Sequence, residues 1–540
     1  MPLDWKKFDE KTVTEMHGNV YYYRKLYEGR HSEIFERAKE LIENGEIVDN
    51  IINGVPKTAN VKTPYIVANI CKLIPEIPAM LVSRSIGSIQ SSISVDDFQN
   101  EAVNKETDDF LDGPGDGSVS SEIIHAQQEV IRQIEKNSHL TFEHWGNIVQ
   151  QQVDGGLVGV PWLDDAGLRI EFKARDVYFP HEDSMGVDLV YRRKIDEKDY
   201  LQVYRERVER GNGVDMNLRT SHLLYELNAS NEAQQLPDDV AKEVLGIDQL
   251  EKVYIGRGRP FIIYWPNQKT FMNELGVSCL RNQEGKQDEI NWTLTRNSLT
   301  FERNGKPRIA VSPEVMRALQ DKAMERYGDE GRIDHRDLEI TTFDDKGKAL
   351  EVIQIDVTKI GDIGWVKDLI KLVLMETQTS EKMIDFYSDS SGSRGAAQSG
   401  VAKFYDLFVS LLKAEQLQQE YIYFLQQLFE SALWIQHELD PAVQIEEPEV
   451  QINSMIPISR KELVEENNKA YTDGTQSLEV TIRRNNPTAS EEWVMEELAR
   501  VEAEHAGADS FSATRGFQTL ENFYGNRDQN MNPIGDEGDA

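Results

Sequence analysis

Cysteine is nearly absent from the chain, since Cys71 and Cys279 are the only two among 540 residues. They form no Cys-x-x-Cys pair and no histidine cluster accompanies them, so the sequence supports neither a disulfide framework nor a zinc site. So few thiols fit a protein that folds in a reducing compartment.

Long apolar runs are missing too. Residues 1–11 are charged and lack the apolar core of a signal peptide. The best candidate for a membrane span, residues 66–82, is interrupted by charges and prolines and falls short of the required length. The interruptions are Lys72, Pro75, Glu76 and Pro78. We therefore predict a protein that is neither secreted nor embedded in a membrane.

Basic residues are few beside acidic ones, because 59 Lys and Arg against 94 Asp and Glu give a formal net charge of -35. Proteins that grip nucleic acid replace counterions with Lys and Arg, so an acidic chain is a poor candidate for tight DNA binding. We expect any contact with DNA to be brief and non-adhesive. The acidity has a simpler interpretation as well, in which it only keeps the chain soluble.

Signatures of catalysis are absent. A phosphate-binding loop needs Gly-Lys followed by Ser or Thr, but the candidate Gly-Lys pairs precede Pro307 and Ala349. The ten histidines include no His-Glu-x-x-His zinc motif, and no Gly-x-Ser-x-Gly nucleophile elbow occurs. We predict a non-enzymatic protein with no catalytic residue, no cofactor and no metal site.

The patterns that are present predict an α+β fold. Apolar spacing predicts helices over residues 21–89, broken at Pro64, Pro75 and Pro78, and helix again over 122–153. Segments rich in β-formers predict antiparallel hairpins, which complete a large α+β part near residue 275. They are residues 168–172, 187–192, 200–208, 222–227 and 260–265.

A small module follows, held between two predicted helices over residues 279–304 and 363–383. This order is that of an insertion at the tip of a helical stalk. Its predicted parts are a strand at 308–311, a helix with Ser312 as N-cap and Pro313 first, and a hairpin of 338–343 with 350–355.

The strongest helical pattern covers residues 401–436, about 54 Å of helix, which exceeds the usual length in a globular domain. It follows a run of Ser and Gly, residues 388–395, that is too polar to pack. Such a run is most often a flexible linker, but its place before the long helix also fits a loop that lines a channel. Residues 450–452 are expected to return to the α+β part.

Four groups of segments carry a signal through their order. They are Thr63-Pro64-Tyr65-Ile66-Val67-Ala68-Asn69 with Ile74-Pro75-Glu76-Ile77-Pro78, Gly276-Val277-Ser278 with Gln287-Asp288-Glu289-Ile290-Asn291, Gln398-Ser399-Gly400-Val401-Ala402-Lys403, and Gly474-Thr475-Gln476-Ser477-Leu478-Glu479 with Asn486-Pro487. This order resembles the portal proteins of tailed bacteriophages, specifically the siphophage-type family. The third segment is one residue shorter than the Ser-Gly-x-Ala-x-Lys pattern that such portals often show.

The resemblance implies an α+β portal architecture. Its parts would be an α+β wing at 1–275, a stem helix at 276–304, a small α/β clip at 305–356, a second stem helix at 357–383, a tunnel loop at 384–398, a long tunnel helix at 399–438, a return to the wing at 439–458, a helical crown at 459–507 and a mobile C-terminal tail at 508–540.

The resemblance also implies functional residues. The DNA channel would be lined by the tunnel-loop residues Ser390, Ser391, Gly392, Ser393, Arg394, Gly395 and Gln398. The tunnel helix would contribute Ser399, Lys403, Phe408 and Leu425. Four clip arginines are either partner contacts or a solvated face, and the spacing does not decide between the two. They are Arg317, Arg326, Arg332 and Arg336.

A portal protein forms a ring, usually a dodecamer, at one capsid vertex, where double-stranded DNA passes without sequence specificity during packaging and ejection. The implied partners are the terminase large subunit, the head-to-tail adaptor, the major capsid protein and the scaffold. The implied location is the virion, after assembly in the host cytoplasm. Two alternatives stay open: another virion structural protein, such as a tail or baseplate component, and a metal-dependent nucleic-acid enzyme.

Overall fold

The chain mixes helices with antiparallel sheets, which confirms the predicted α+β class. The computed structural model describes residues 5–49, 63–93, 116–164, 167–195, 197–211, 216–304, 308–311, 313–328, 350–353, 363–381, 400–455, 460–486, 489 and 493–501. Two compact units are present, Met1–Met455 and Ile456–Ala540.

The largest sheet of the first unit is antiparallel and follows the predicted hairpins. Its strands are β4 (Tyr178–Pro180), β5 (Gly186–Ile195), β6 (Lys198–Arg210) and β7 (Met216–Leu227), with β8 (Ala233–Gln235) and β9 (Glu251–Tyr254) both paired to β7. Successive side chains of β6 point to opposite faces. Leu201 joins a core with Trp5 and Phe179. Tyr200 packs on the other face with Leu224 and Ala241.

A second sheet has the order β10 (Ile263–Pro266), β2 (Gly156–Asp164) and β3 (Gly167–Ala174). Strand β2 begins with Gly156 and also contains Gly159, and it was not among the predicted strands. A Cβ atom at Gly159 would lie 2.5 Å from Leu428 Cδ1, so the absence of a side chain lets the strand approach a long helix closely.

The N-terminal helices are shorter than predicted. They are α1 (Glu10–His17), α2 (Val20–Glu28), α3 (Glu36–Glu43) and α4 (Leu73–Ser85), with a 3-10 turn at His31–Glu33. The prediction of helix over 63–69 was wrong, because residues 63–70 are not helical. Pro75 and Pro78 lie inside α4 rather than breaking it. Pro75 belongs to the first turn, where a missing N–H removes no helical bond.

The predicted helix over 122–153 is two helices, α5 (Asp116–Asn137) and α6 (Leu140–Asp154). His139 separates them with a left-handed φ of 51°. The hydroxyl of Ser138 donates to the Ile134 carbonyl at 2.6 Å and accepts from the Ile170 N–H at 2.8 Å. The break therefore ties the helix to β3.

Two helices and a small module follow. The helices are α8 (Glu284–Asn304) and α10 (Ile363–Glu376), and between them lie β11 (Arg308–Val311), α9 (Pro313–Tyr327) and β12 (Leu350–Ile353). A further helix, α7 (Asp238–Leu245), precedes them and packs against the large sheet. Strands β11 and β12 pair antiparallel, and the predicted partner strand at 338–343 lies outside the described residues.

Left-handed residues correct the predicted limits of these two helices. Asn282 has φ 69°, so α8 begins at Glu284 and not at 279. Gln378 has φ 55°, and the Thr379 N–H bonds back to the Leu374 carbonyl at 2.8 Å, so α10 ends well before residue 383.

The long helix α11 (Gly400–Leu439) is continuous over 40 residues, which corresponds to about 60 Å. It contacts α4 and the strands β2, β3 and β10. The chain then returns through β13 (Glu449–Ile452), which pairs with β1 (Ile86–Gln90) rather than with either larger sheet.

The described residues of the second unit form a helical hairpin of α12 (Arg460–Thr472) and α13 (Leu478–Asn485), followed by a helix at 493–501. The side chain of Asn467 donates to that of Asn485 at 2.7 Å and links the two helices. Ser477 caps α13 by accepting the Val480 N–H at 3.3 Å. The predicted tail at 508–540 lies outside the described residues.

Candidate functional site: the stem helices and the long helix

The helices α8 and α10, called the stem helices below, pack against each other. Their contact is apolar and includes the segment that precedes α4. The contributing side chains are Ile290 and Leu294 of α8, Val366, Leu369 and Ile370 of α10, and Ala68 and Ile70. The two helices predicted on either side of the inserted module therefore form one packed pair.

A row of buried polar side chains on α8 holds the extended segment 66–70. Thr295 Oγ1 accepts the Ile66 N–H at 3.0 Å, and Asn291 Oδ1 accepts the Ala68 N–H at 3.1 Å. Gln287 Oε1 accepts the Ile70 N–H at 3.0 Å, and the Gln287 amide donates to the Ala68 carbonyl at 2.6 Å. Side chains of a helix thus replace the backbone partners that a neighbouring strand would supply.

The spacing explains this arrangement. Four residues of helix rise about 6 Å, and two residues of extended chain rise about 6.6 Å. Side chains at every fourth helical position therefore stay in register with every second backbone amide. Helix was predicted over this segment, but the partners that decide the conformation of residues 66 and 70 lie more than 200 positions away along the chain.

The C-terminal half of the long helix is sealed in the core. The predicted apolar stripe is confirmed here, because Leu425 and its neighbours have almost no exposed surface. These neighbours are Tyr421, Phe424, Leu428, Phe429 and Ala432. Trp265 of β10 stacks on Tyr421 and Phe424, with ring centroids 5.1 and 5.4 Å away.

A buried ion pair also anchors this half of the helix. Arg257 donates to Glu430 at 2.6 Å and to the Ser431 hydroxyl at 2.9 Å. Arg259, which is more exposed, pairs with the other oxygen of Glu430 at 2.7 Å. Burial lowers the pKa of Arg257, although Glu430 opposes that shift. The sequence analysis did not predict this ion pair. The feature that could have indicated it is Glu430, an acidic residue among the apolar positions of the long helix.

The N-terminal half of the long helix exposes apolar side chains. Phe408 is 43% exposed, and Val409 and Leu412 are about equally accessible. Phe408 was predicted to lie on the same stripe as Leu425, but only Leu425 is buried. The difference is one of helix face, because Leu411, Ala414 and Leu417 of the same half are buried while Phe408, Val409 and Leu412 are exposed.

The other predicted site residues are only partly brought together. Every assigned tunnel-loop residue and Ser399 lie outside the described part of the chain, and Lys403 lies near the start of α11. Arg317 and Arg326 are exposed on α9, but nine positions place them on opposite faces of that helix. They do not form one patch. Arg332 and Arg336 lie outside the described residues.

Two buried carboxylates of the large sheet have all their partners within the fold. Glu206 accepts the N–H groups of Phe261 at 2.7 Å and Ile262 at 3.1 Å, and burial raises its pKa to about 7. Asp188 accepts from Arg205 at 2.7 Å and from Trp5 at 2.8 Å. Neither carboxylate has an exposed surface, so their contacts are structural.

Comparison with protein families and curated proteins assigns no function to the chain. No family model matches the chain, and no curated protein matches it. Across the described residues, no three His, Cys, Asp or Glu side chains are grouped so that they could hold a metal ion. None of the helices in that part of the chain has both the length and the apolar character needed to cross a membrane.

Proposed function

We propose that this chain is the subunit of a phage portal, a ring at one capsid vertex through which double-stranded DNA enters and leaves. The ring, a dodecamer in this proposal, also provides the docking platform for the terminase large subunit and later for the head-to-tail adaptor. The wing contacts the major capsid protein and the scaffold. The subunit itself is not an enzyme, and its partner hydrolyses ATP.

One observation carries the proposal. Two packed stem helices enclose a strand–helix–strand module and lead to a helix of 40 residues, half of it sealed in the α+β unit. In the other half, one face presents the apolar side chains of Phe408, Val409 and Leu412 to solvent. Apolar faces of this kind mark protein contacts, and a closed ring covers the same face in every subunit.

The charge supports a conduit rather than a DNA-binding protein. Duplex DNA carries one negative charge per about 1.7 Å of its axis, and each subunit has a net charge of -35. A predominantly acidic wall lets the duplex slide without adhering. Serines of the predicted tunnel loop would touch phosphates only weakly and without sequence preference.

Electron microscopy of the purified chain tests the proposal. We expect closed rings with one central channel, with the oligomer mass measured by mass photometry at low and high salt. A chain that stays monomeric at every protein and salt concentration contradicts the proposal. Fibres or open assemblies without a channel would favour another virion component, and magnesium-dependent DNA cleavage would favour the enzyme alternative.

A further inference from the structure

A polar cleft of about 480 Å³ lies where the stem helices meet the long helix. Four parts of the chain form its wall: the segment that follows β10, residues 277–283 before α8, the end of α10 and one position of the long helix. The residues used below are Thr270, Cys279, Glu376, Thr377 and Lys413. None of the described residues that line this cleft is aromatic, so their polar side chains suit a polar group rather than a flat ring.

Lys413 brings a positive charge to the cleft without a carboxylate beside it. Its ammonium donates to the Thr377 carbonyl at 3.0 Å, and no acidic side chain of the described residues lies within the 4.0 Å of an ion pair. The nearest acidic member of the lining, Glu376, pairs with Lys286 at 2.7 Å. An ammonium can donate three hydrogen bonds, so Lys413 can donate to a further acceptor in the cleft as well as to Thr377.

Three other sheltered cations pair with carboxylates, whereas the buried Arg175 donates to the Asp154 and Gly276 carbonyls. Arg24 pairs with Asp154 at 2.8 Å, and Arg205 pairs with Asp188 at 2.7 Å. Arg257 pairs with Glu430 at 2.6 Å. Burial lowers the pKa of Lys413, and only Cys279 acts in the opposite direction. A carboxylate placed in the cleft would favour the charged form of Lys413 and oppose this lowering of its pKa.

Exposed apolar side chains flank the cleft. Leu412 and Met375 directly precede the lining residues Lys413 and Glu376, and both are at least half exposed. Phe271 and Met272 are almost completely exposed. They follow the lining residue Thr270 in a tight turn, closed by hydrogen bonds between Thr270 and Asn273 at 3.1 and 3.2 Å. A polar hollow with an apolar border is the anatomy of a protein contact.

We infer that a carboxylate from a second copy of this chain enters the cleft and pairs with Lys413. The inference rests on the proposed ring. Copies with a net charge of -35 repel one another, so their contact needs local sites where a cation meets an acidic side chain. Lys413 offers such a cation on the long helix, beside the apolar surface that the ring would cover.

Zero-length cross-linking tests the contact directly. Rings are assembled from equal amounts of ¹⁵N-labelled and unlabelled chain, treated with a carbodiimide and digested. We expect a mixed-isotope peptide in which the Lys413 amine is joined to an Asp or Glu of another copy. The inference is overturned if Lys413 yields no such peptide in intact rings. Lys367, which is exposed on α10, is the control for non-specific coupling.

Substitution gives an independent test. Because Lys413→Met removes only the hydrogen bond to the Thr377 carbonyl and no ion pair with a described residue, it is expected to lower the melting temperature of the isolated subunit by about 2 °C or less. It should raise the protein concentration at half-assembly at least tenfold, while Lys413→Arg retains assembly and Lys367→Met has no effect. Equal assembly of Lys413→Met and wild type refutes the inference but not the ring. Wild type that forms no ring refutes the proposed function itself.

Discussion

Asn291 and His31 lie 260 positions apart in the chain, yet the Asn291 amide donates to Nδ1 of His31 at 2.7 Å. The same Asn291 accepts the Ala68 N–H, which fixes the orientation of its amide group. Nδ1 must therefore accept, and the proton lies on Nε2, which donates to the Leu26 carbonyl at 2.9 Å. His31 is neutral here, and burial lowers its pKa.

Replacement of Asn291 should weaken the joint between the stem and the N-terminal segment. Asn291→Leu leaves the Ala68 N–H and the His31 ring nitrogen without partners, so we expect a loss of about 2–4 kcal/mol in the free energy of unfolding. Urea denaturation followed by circular dichroism measures it. Arg296→Ala, on an exposed position of the same helix, should change the value by less than about 0.5 kcal/mol. Equal effects would contradict the role of Asn291.

His144 should make stability depend on pH. Burial lowers its pKa from 6.5 to about 4, and its Nδ1 lies 2.8 Å from the Tyr421 hydroxyl. The unfolded chain takes up this proton near pH 6.5, so stability is complete above that pH and declines towards pH 4, by about 3 kcal/mol in total. His144→Gln should flatten the decline, whereas Tyr421→Phe should keep it. An unchanged slope in His144→Gln would contradict the assignment.

The two arginines that contact Glu430 in the C-terminal half of the long helix should contribute unequally to stability. Glu430→Gln leaves the guanidinium of Arg257, only 3% exposed, without a counter-charge, and should cost about 3 kcal/mol of unfolding free energy. Arg259→Met removes the partly exposed partner of the same carboxylate and should cost about 1 kcal/mol or less. Denaturant titration of both variants measures the difference. Similar losses would show that Arg257 is not the anchor.

Periodic patterns predicted the parts of the fold that local sequence controls. The hairpins of β5, β6 and β7 follow segments rich in β-formers, and the long helix follows helical spacing, which the buried Leu425 satisfies. The conformation of residues 66–70 could not be predicted in this way. It depends on the Thr295 hydroxyl and the Gln287 side-chain amide, which a helix more than 200 positions later supplies.

The candidate site also has one part that the sequence predicted and one part that it did not. The order of stem, insertion and long helix could be predicted from sequence, because each element has its own pattern. The cleft around Lys413 could not, since it forms only when the turn before α8 meets the end of α10. Phe408 shows the limit within one helix: at 3.6 residues per turn it lies about 100° around the helix from Leu425, and only Leu425 is buried.

Substitution by aspartate should therefore have different effects at Leu425 and at Phe408 of the long helix. Leu425 has no exposed surface, so Leu425→Asp buries an unpaired charge at a cost of several kcal/mol. Total stabilities of about 5–15 kcal/mol leave little margin, and we expect no folded protein. Phe408 is 43% exposed, so the aspartate of Phe408→Asp can stay hydrated and the subunit should fold.

In the proposed ring, however, a neighbouring copy would cover Phe408, and Phe408→Asp should yield folded monomers that do not assemble. Circular dichroism and sedimentation velocity on the same samples separate folding from assembly. Phe408→Leu keeps an apolar side chain and should assemble like wild type. If Phe408→Asp unfolds like Leu425→Asp, the side chain belongs to the core of its own subunit. If Phe408→Asp forms normal rings, this face of the long helix lies outside the subunit contact, because an unpaired carboxylate buried there would oppose association.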